Sequence, residues 1–290
     1  MSVVPQKQNV IYTITANDLS NQFAVVPVAW KQPFNGSAYA AFAVIEDLGG
    51  SPSTNYIGGD MHSITENGLN VIVFVVGGTA GDQIRVRVSA VQNPGFNLGT
   101  SRGFGNVFRI PHTLTQAEIT NKSFSVTLNW NPQFNGTGQL FVFSSIEDTQ
   151  ATPSLNYLPG DIHNLTQSGC TINTGLVNDT PGTYTVGDVA IIHVFAIGGA
   201  NTVKVDYALT QVDIDRSFAV IPVYWKSPHA DAVNYAIWIG IEDPEVDPSA
   251  QADILLGDVH GVTTQSCNVV VYLFDILAVG KRLIVHAASF

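Results

Sequence analysis

The sequence predicts an all-β protein made of three tandem antiparallel β-sandwich domains that arose by internal duplication. Three observations carry this. One long pattern recurs three times along the 290 residues. Its apolar residues alternate with period two, as in half-buried strands. No window sustains a 3.6-residue period bounded by helix caps.

The recurrence begins with "ITANDLSNQFAVVPVAWKQPF" from Ile14, "LTQAEITNKSFSVTLNWNPQF" from Leu114 and "LTQVDIDRSFAVIPVYWKSPH" from Leu209. Next come "VIEDLGG" from Val44, "SIEDTQA" from Ser145 and "GIEDPEV" from Gly240. Then follow "YIGGDMHSIT" from Tyr56, "YLPGDIHNLT" from Tyr157 and "LLGDVHGVT" from Leu255, each with a Gly-Asp-x-His core. The copies close with "GLNVIVFVV", "GCTINTGLV" and "SCNVVVYLF", and after these "QIRVRVSAV", "VAIIHVFAI" and "RLIVHAASF". Asp60, Asp161 and Asp258 recur at roughly one small domain's length, about 100 residues. The units are therefore read as 1–97, 98–203 and 204–290. A Gly-rich linker lies at 98–108 and a hairpin-tip insertion at 178–188. The stretch "SVVPQKQNVIYT" before the first repeat is a candidate assembly arm.

Each element has its own warrant. In "SFAVIPVYW", Phe218, Val220, Pro222 and Tyr224 point one way, while Ala219, Ile221, Val223 and Trp225 point the other. Pro27 and Pro222 place this strand at a sheet edge or a bulge, because proline cannot donate to the ladder. The Ile-Glu-Asp strand ends before a turn. In the last strand Ile84, Val86, Val88 and Ala90 share one face, and Arg85, Arg87 and Ser89 the other. Cys170 and Cys267 stand where the first repeat has Leu69, so they read as buried free thiols rather than a disulfide. Trp30, Trp130 and Trp225 recur at one place and read as packing residues, whereas Trp238 lies outside the pattern and is a candidate for ligand stacking. His193 and His286 occupy matching places on last strands, with Val88 aligned to them in the first repeat.

The Gly-Asp-x-His segments admit two readings. Asp60 with His62, Asp161 with His163, and Asp258 with His260 would share a strand face, with Glu46 and Asp47, Glu147 and Asp148, or Glu242 and Asp243 close by. Carboxylates with imidazole bind divalent cations such as Zn²⁺, Mn²⁺ or Ca²⁺, which would give one cation site per repeat. In the simpler reading the Asp fixes a turn, the His donates to it, and no cofactor is needed. Compact zinc spacings, nucleophile elbows, phosphate loops and dinucleotide fingerprints are absent from the sequence.

Composition narrows the function further. With 12 Lys and Arg against 23 Asp and Glu, the net charge is −11 and there is no basic run. Nucleic-acid binding is therefore not expected. No apolar run reaches membrane-helix length, and the N-terminus lacks a secretory pattern, so synthesis is expected in the cytosol.

An aromatic-ended strand followed by Pro-Phe ("WKQPF"), the stretch "TENGLNVIVF", and a last strand such as "IIHVFAIGG" together resemble the H-type-lectin-like β-sandwich units of lectins and of phage tail and bacterial surface proteins. The resemblance covers most of each repeat. It implies an Ig/lectin-like sandwich and a binding or assembly module, without carrying over a sugar site. The expected function is a non-enzymatic structural or binding component of a larger assembly, such as a phage virion, tail or surface appendage. Its partners would be other protein subunits, homo- or hetero-oligomeric, and its final location a virion or extracellular surface. The alternatives are a carbohydrate- or cation-dependent binding module with a glycan partner, and a hydrolase using the carboxylate pairs.

Overall fold

The computed structural model describes residues 6–49, 52–53, 55–92, 106–130, 140–177, 184–198, 201–244, 254–274 and 277–289. Most of the predicted linker at 98–108 and of the insertion at 178–188 lies outside these residues. Each third of the chain repeats one order, a strand, a short helix and five strands. The first contains β1 (Gln6–Thr13), α1 (Ala16–Asn21), β2 (Phe23–Ala29), β3 (Tyr39–Asp47), β4 (Tyr56–Thr65), β5 (Gly68–Val75) and β6 (Gln83–Gln92). The second contains β7 (Asn106–Thr113), α2 (Gln116–Asn121), β8 (Ser123–Asn129), β9 (Leu140–Asp148), β10 (Tyr157–His163), β11 (Gly169–Leu176) and β12 (Val189–Gly198). The third contains β13 (Thr202–Ala208), α3 (Gln211–Arg216), β14 (Phe218–Tyr224), β15 (Ile237–Glu242), β16 (Ile254–His260), β17 (Ser266–Leu273) and β18 (Arg282–Ser289). The third unit's first strand thus begins just before residue 204.

The three helices correct the expectation of strands alone. Thr15, Thr115 and Thr210 cap them through reciprocal bonds with Asp18, Glu118 and Asp213. The capping box supplies partners for orphan N–H groups that a six-residue helix has few other means to satisfy. Each helix stops on a left-handed residue, Gln22, Lys122 or Ser217, which turns the chain directly into the next strand.

The strands form three six-stranded sheets, and no sheet belongs to one repeat. Their orders are β1-β6-β3-β16-β17-β14, β13-β18-β15-β10-β11-β8 and β2-β5-β4-β9-β12-β7. Each repeat gives three strands to each of two sheets, so the first joins the second, the second the third, and the third the first. The chain closes into a cycle. Pairing inside a repeat is antiparallel, but the junctions are parallel: Met61 opposite Glu147, Ile162 opposite Glu242, and Val259 opposite Glu46. The sheets are therefore mixed, which corrects the purely antiparallel expectation. Residues 6–13 of the candidate arm form β1, paired along its length with β6, and residues 2–5 lie outside the described residues. Pro27 and Pro222 sit exposed on β2 and β14, both sheet-edge strands, where no ladder bond is lost.

Three core clusters follow the repeats. At each junction the sheet changes the face it buries. Met61 packs into the first repeat's core, while Ile146 of β9, adjacent to Met61's partner Glu147, packs into the second's. The junction strands are consequently buried on both faces, not on one oily side as period two alone predicts. Two further clusters combine all three repeats. One gathers Phe42, Phe143, Phe195 and Trp238, the other Ile57, Leu158 and Leu255.

Candidate functional site

The Gly-Asp pairs sit inside strands, not at turns. The register of β4 against β5 shifts between Gly58 and Met61, that of β10 against β11 between Pro159 and Ile162, and that of β16 against β17 between Leu256 and Val259. Each shift is a β-bulge holding the Gly-Asp dipeptide, and bulges re-aim side chains. Glycine is required for close approach: a Cβ on Gly59 would lie 2.7 Å from Leu155 Cδ1 and 3.0 Å from the Ile72 carbonyl, and one on Gly257 would lie 2.9 Å from the Val270 carbonyl.

The bulge turns each Asp toward the neighbouring repeat. The structure brings together Asp60, His62 and Asp148; Asp161, His163 and Asp243; and Asp258, His260 and Asp47. In every case Asp-x-His comes from one repeat and the third Asp from the next, following the cycle of the sheets. The parallel registers dictate this. The residue between Asp and His faces the next repeat's Glu, so the Asp after that Glu falls on the side of the Asp and His. The three potential ligand atoms of each cluster lie within 4.8 Å of one another. His62 Nε2 lies 3.4 Å from Asp60 and 3.6 Å from Asp148. His260 Nε2 lies 3.0 Å from Asp258 and 3.7 Å from Asp47. His163 Nε2 lies 3.2 Å from Asp161. All nine residues are buried.

Asp60 also accepts the Asn156 and Tyr157 backbone N–H groups, both at 3.0 Å, and His62 Nε2 lies 2.9 Å from the Ser154 carbonyl. Burial raises the pKa of Asp60 and Asp148 from the usual carboxylate range, and pushes that of Asp258 up to about 6. Burial pulls His62 and His260 down, but the adjacent carboxylates outweigh it and hold both above the ordinary imidazole value.

Glu46, Glu147 and Glu242 do not join these clusters. They point to the opposite face, toward the last strands. Glu46 accepts from Arg85 Nη1 at 2.7 Å and Arg87 Nε at 2.8 Å. Glu147 lies 3.0 Å from His193 Nε2 and pairs with Arg109. Glu242 lies 2.7 Å from His286 Nε2 and 3.5 Å from Lys204. Register places Arg87, not Val88, at the position of His193 and His286: they lie opposite Val44, Ser145 and Gly240. All three reach across a junction. The Ala41 and Val142 N–H groups donate to Nδ1 of His193 and His286 at 3.1 and 3.0 Å. Arg87 donates to the carbonyls of Ala232, Val233 and Tyr235 at 2.9–3.1 Å.

Trp238 is no surface platform for a ligand. It is 2% exposed, with Phe195 edge-on at 4.3 Å and Phe42 and Phe143 nearby, because β15 lies where all three repeats meet. Trp30 and Trp225 are buried and donate to Tyr39 and Tyr235. Cys170 and Cys267 are buried free thiols. Two polar residues that sequence reading did not single out complete one cluster. Lys281 Nζ lies 2.9 Å from Asp243, and Asn173 donates to Asp161 at 3.0 Å. No family model, curated protein or solved structure matches the chain.

Proposed function

We propose that the chain is a non-enzymatic structural and binding component of a larger assembly, of the phage virion, tail or surface-appendage type, built from three lectin-like β-sandwich units. The observation that supports this reading most is the cyclic sharing of sheets. Three copies of one unit interlock through the same surface at every junction, the covalent equivalent of a closed homotrimer, which is a common building block of symmetric assemblies. The carboxylates and imidazoles that would serve a hydrolase are committed to the junctions and buried there. Among the described residues six sheet-edge strands remain as pairing surfaces, and Pro27 of β2, Pro111 of β7 and Pro222 of β14 blunt three of them. Size-exclusion chromatography with light scattering tests the reading. Masses above the 31.0 kDa monomer at high protein concentration are expected, and an inert monomer overturns it.

A second reading, a carbohydrate- or cation-dependent binding module, draws on the three Asp-His-Asp clusters. A glycan array probed with calcium and with chelator decides it, and no binding in either condition removes the glycan partner.

A further inference from the structure

The three Asp-His-Asp clusters share one design but not one charge balance. In the cluster of Asp161, His163 and Asp243, the protein supplies its own cation, Lys281 beside Asp243; Asn173 donates to Asp161 there, and in the first cluster an amide, Asn156, donates to Asp148. The matching positions elsewhere are different. The Ile14, Leu114 and Leu209 N–H groups donate to the carbonyls of Asp82, Asp188 and Lys281, so these three are structural equivalents. Two copies thus hold another carboxylate where the third holds an ammonium. Equivalents of Asn173, counted from the start of β5, β11 and β17, are the apolar Ile72 and Val270.

The other two clusters are left with excess negative charge. Among the described residues, Asp60 and Asp148 form ion pairs with His62 alone, and Asp258 and Asp47 with His260 alone. With both carboxylates ionised, each buried cluster carries one net negative charge even when the imidazole is protonated. Among the described residues, apart from the adjacent imidazole, neither carboxylate oxygen of Asp258 and only one of Asp60 meets a hydrogen-bond donor, although both residues are 0% exposed. Burying a charge without a partner is costly, and such groups pair or coordinate metals. The spacings match coordination. Ligand atoms about 2.1 Å from a tetrahedral Zn²⁺ stand about 3.4 Å apart, and the Nε2–carboxylate separations are 3.4 and 3.6 Å in one cluster and 3.0 and 3.7 Å in the other. The Ser154 carbonyl, 2.9 Å from His62 Nε2, adds a fourth donor in the first. A small donor set of oxygens with one imidazole, closed to water, suits a borderline cation of the Zn²⁺ class better than Ca²⁺, which takes six to eight oxygens.

We propose that the Asp60–His62–Asp148 and Asp258–His260–Asp47 clusters each hold one Zn²⁺-class cation as a clamp between repeats, and that Lys281 takes the ion's place in the third. The chain therefore carries two structural ions, not three. The inference is independent of assembly, since the ion count and the light-scattering mass can each fail alone.

Full-length protein expressed in zinc-supplemented medium, washed with chelator and analysed by elemental mass spectrometry, tests it. Two zinc ions per chain are expected, with an X-ray absorption edge showing only nitrogen and oxygen neighbours. Asp60→Asn and Asp258→Asn each lower the count to one. Lys281→Asp, which restores the carboxylate of the other copies, raises it to three. A wild-type count of three, or of one or fewer, overturns the proposal, as does a count unchanged in both Asn variants. The wild-type count decides even if a variant fails to fold.

Discussion

The same three junctions carry two polar layers that differ in their partners, not in their burial. In one, Glu147 and Glu242 are surrounded by cations and imidazoles. Burial pushes their pKa values up, but His193 with Arg109, and His286 with Lys204, outweigh it and hold both carboxyls below the ordinary range. In the other, Asp60 and Asp258 are buried beside one imidazole each, and burial wins. Glu147 and Asp148 are adjacent in sequence, so strand alternation alone sends them to opposite layers, the first held below the ordinary range and the second above it. Burying a carboxylate is cheap where guanidinium, ammonium or imidazole groups lie opposite, and expensive where a second carboxylate does.

Removing a cation from the compensated layer should have the largest effect. Arg87→Met leaves Glu46 with Arg85 only and strips donors from three carbonyls of the third repeat. A loss of about 3–5 kcal/mol is expected from urea unfolding. Lys281→Met converts the balanced Asp161 cluster into the unbalanced type and should cost about 3 kcal/mol. Adding Asp243→Asn should recover much of that loss, a coupling that a double-mutant cycle measures.

Asp258→Asn should act in the opposite direction in metal-free protein, prepared by unfolding and refolding in the presence of chelator. With a folded pKa of about 6 against an ordinary 3.8, Asp258 binds its proton more tightly in the folded state, so it costs stability as pH rises through that window. The raised pKa of His260 has the same sign, giving stability below the imidazole range that is lost above it. The substitution should therefore stabilise the metal-free protein at pH 7 by about 2–3 kcal/mol and have little effect near pH 4. Denaturation curves across pH 4–8 check this. Equal stability of variant and wild type at every pH would erase the contrast between the layers. The smallest effect belongs to a site outside both: Thr210→Ala removes the cap of α3 and should cost about 1 kcal/mol, independent of zinc.

Much of this was legible in the sequence. The threefold pattern, the strands and the pairing of Asp with His two residues on followed from spacing. The helices were missed: Thr-x-x-Asp and Thr-x-x-Glu mark their capping boxes, but six-residue helices are too short to display a helical period. The junctions were not legible, because local alternation does not specify which repeat lies across a sheet edge. For the same reason Asp47, Asp148 and Asp243 could be paired only with their own repeat's motif. Lys281 carried a signal, a lysine where two copies have aspartate, but reading it required alignment of last strands to the residue. An offset of one there also hid Arg87 behind Val88.

The parallel contact between Val259 of β16 and Glu46 of β3 joins segments far apart along the chain. During synthesis the N-terminal third must wait, with the β3 edge and Asp47 open, until almost the whole polypeptide has emerged. A C-terminal third arriving from a second nascent molecule would fit that edge equally well. Crowded ribosomes translating this message are thus where linked, exchanged rings should first form, and slower translation of the last third should increase their yield.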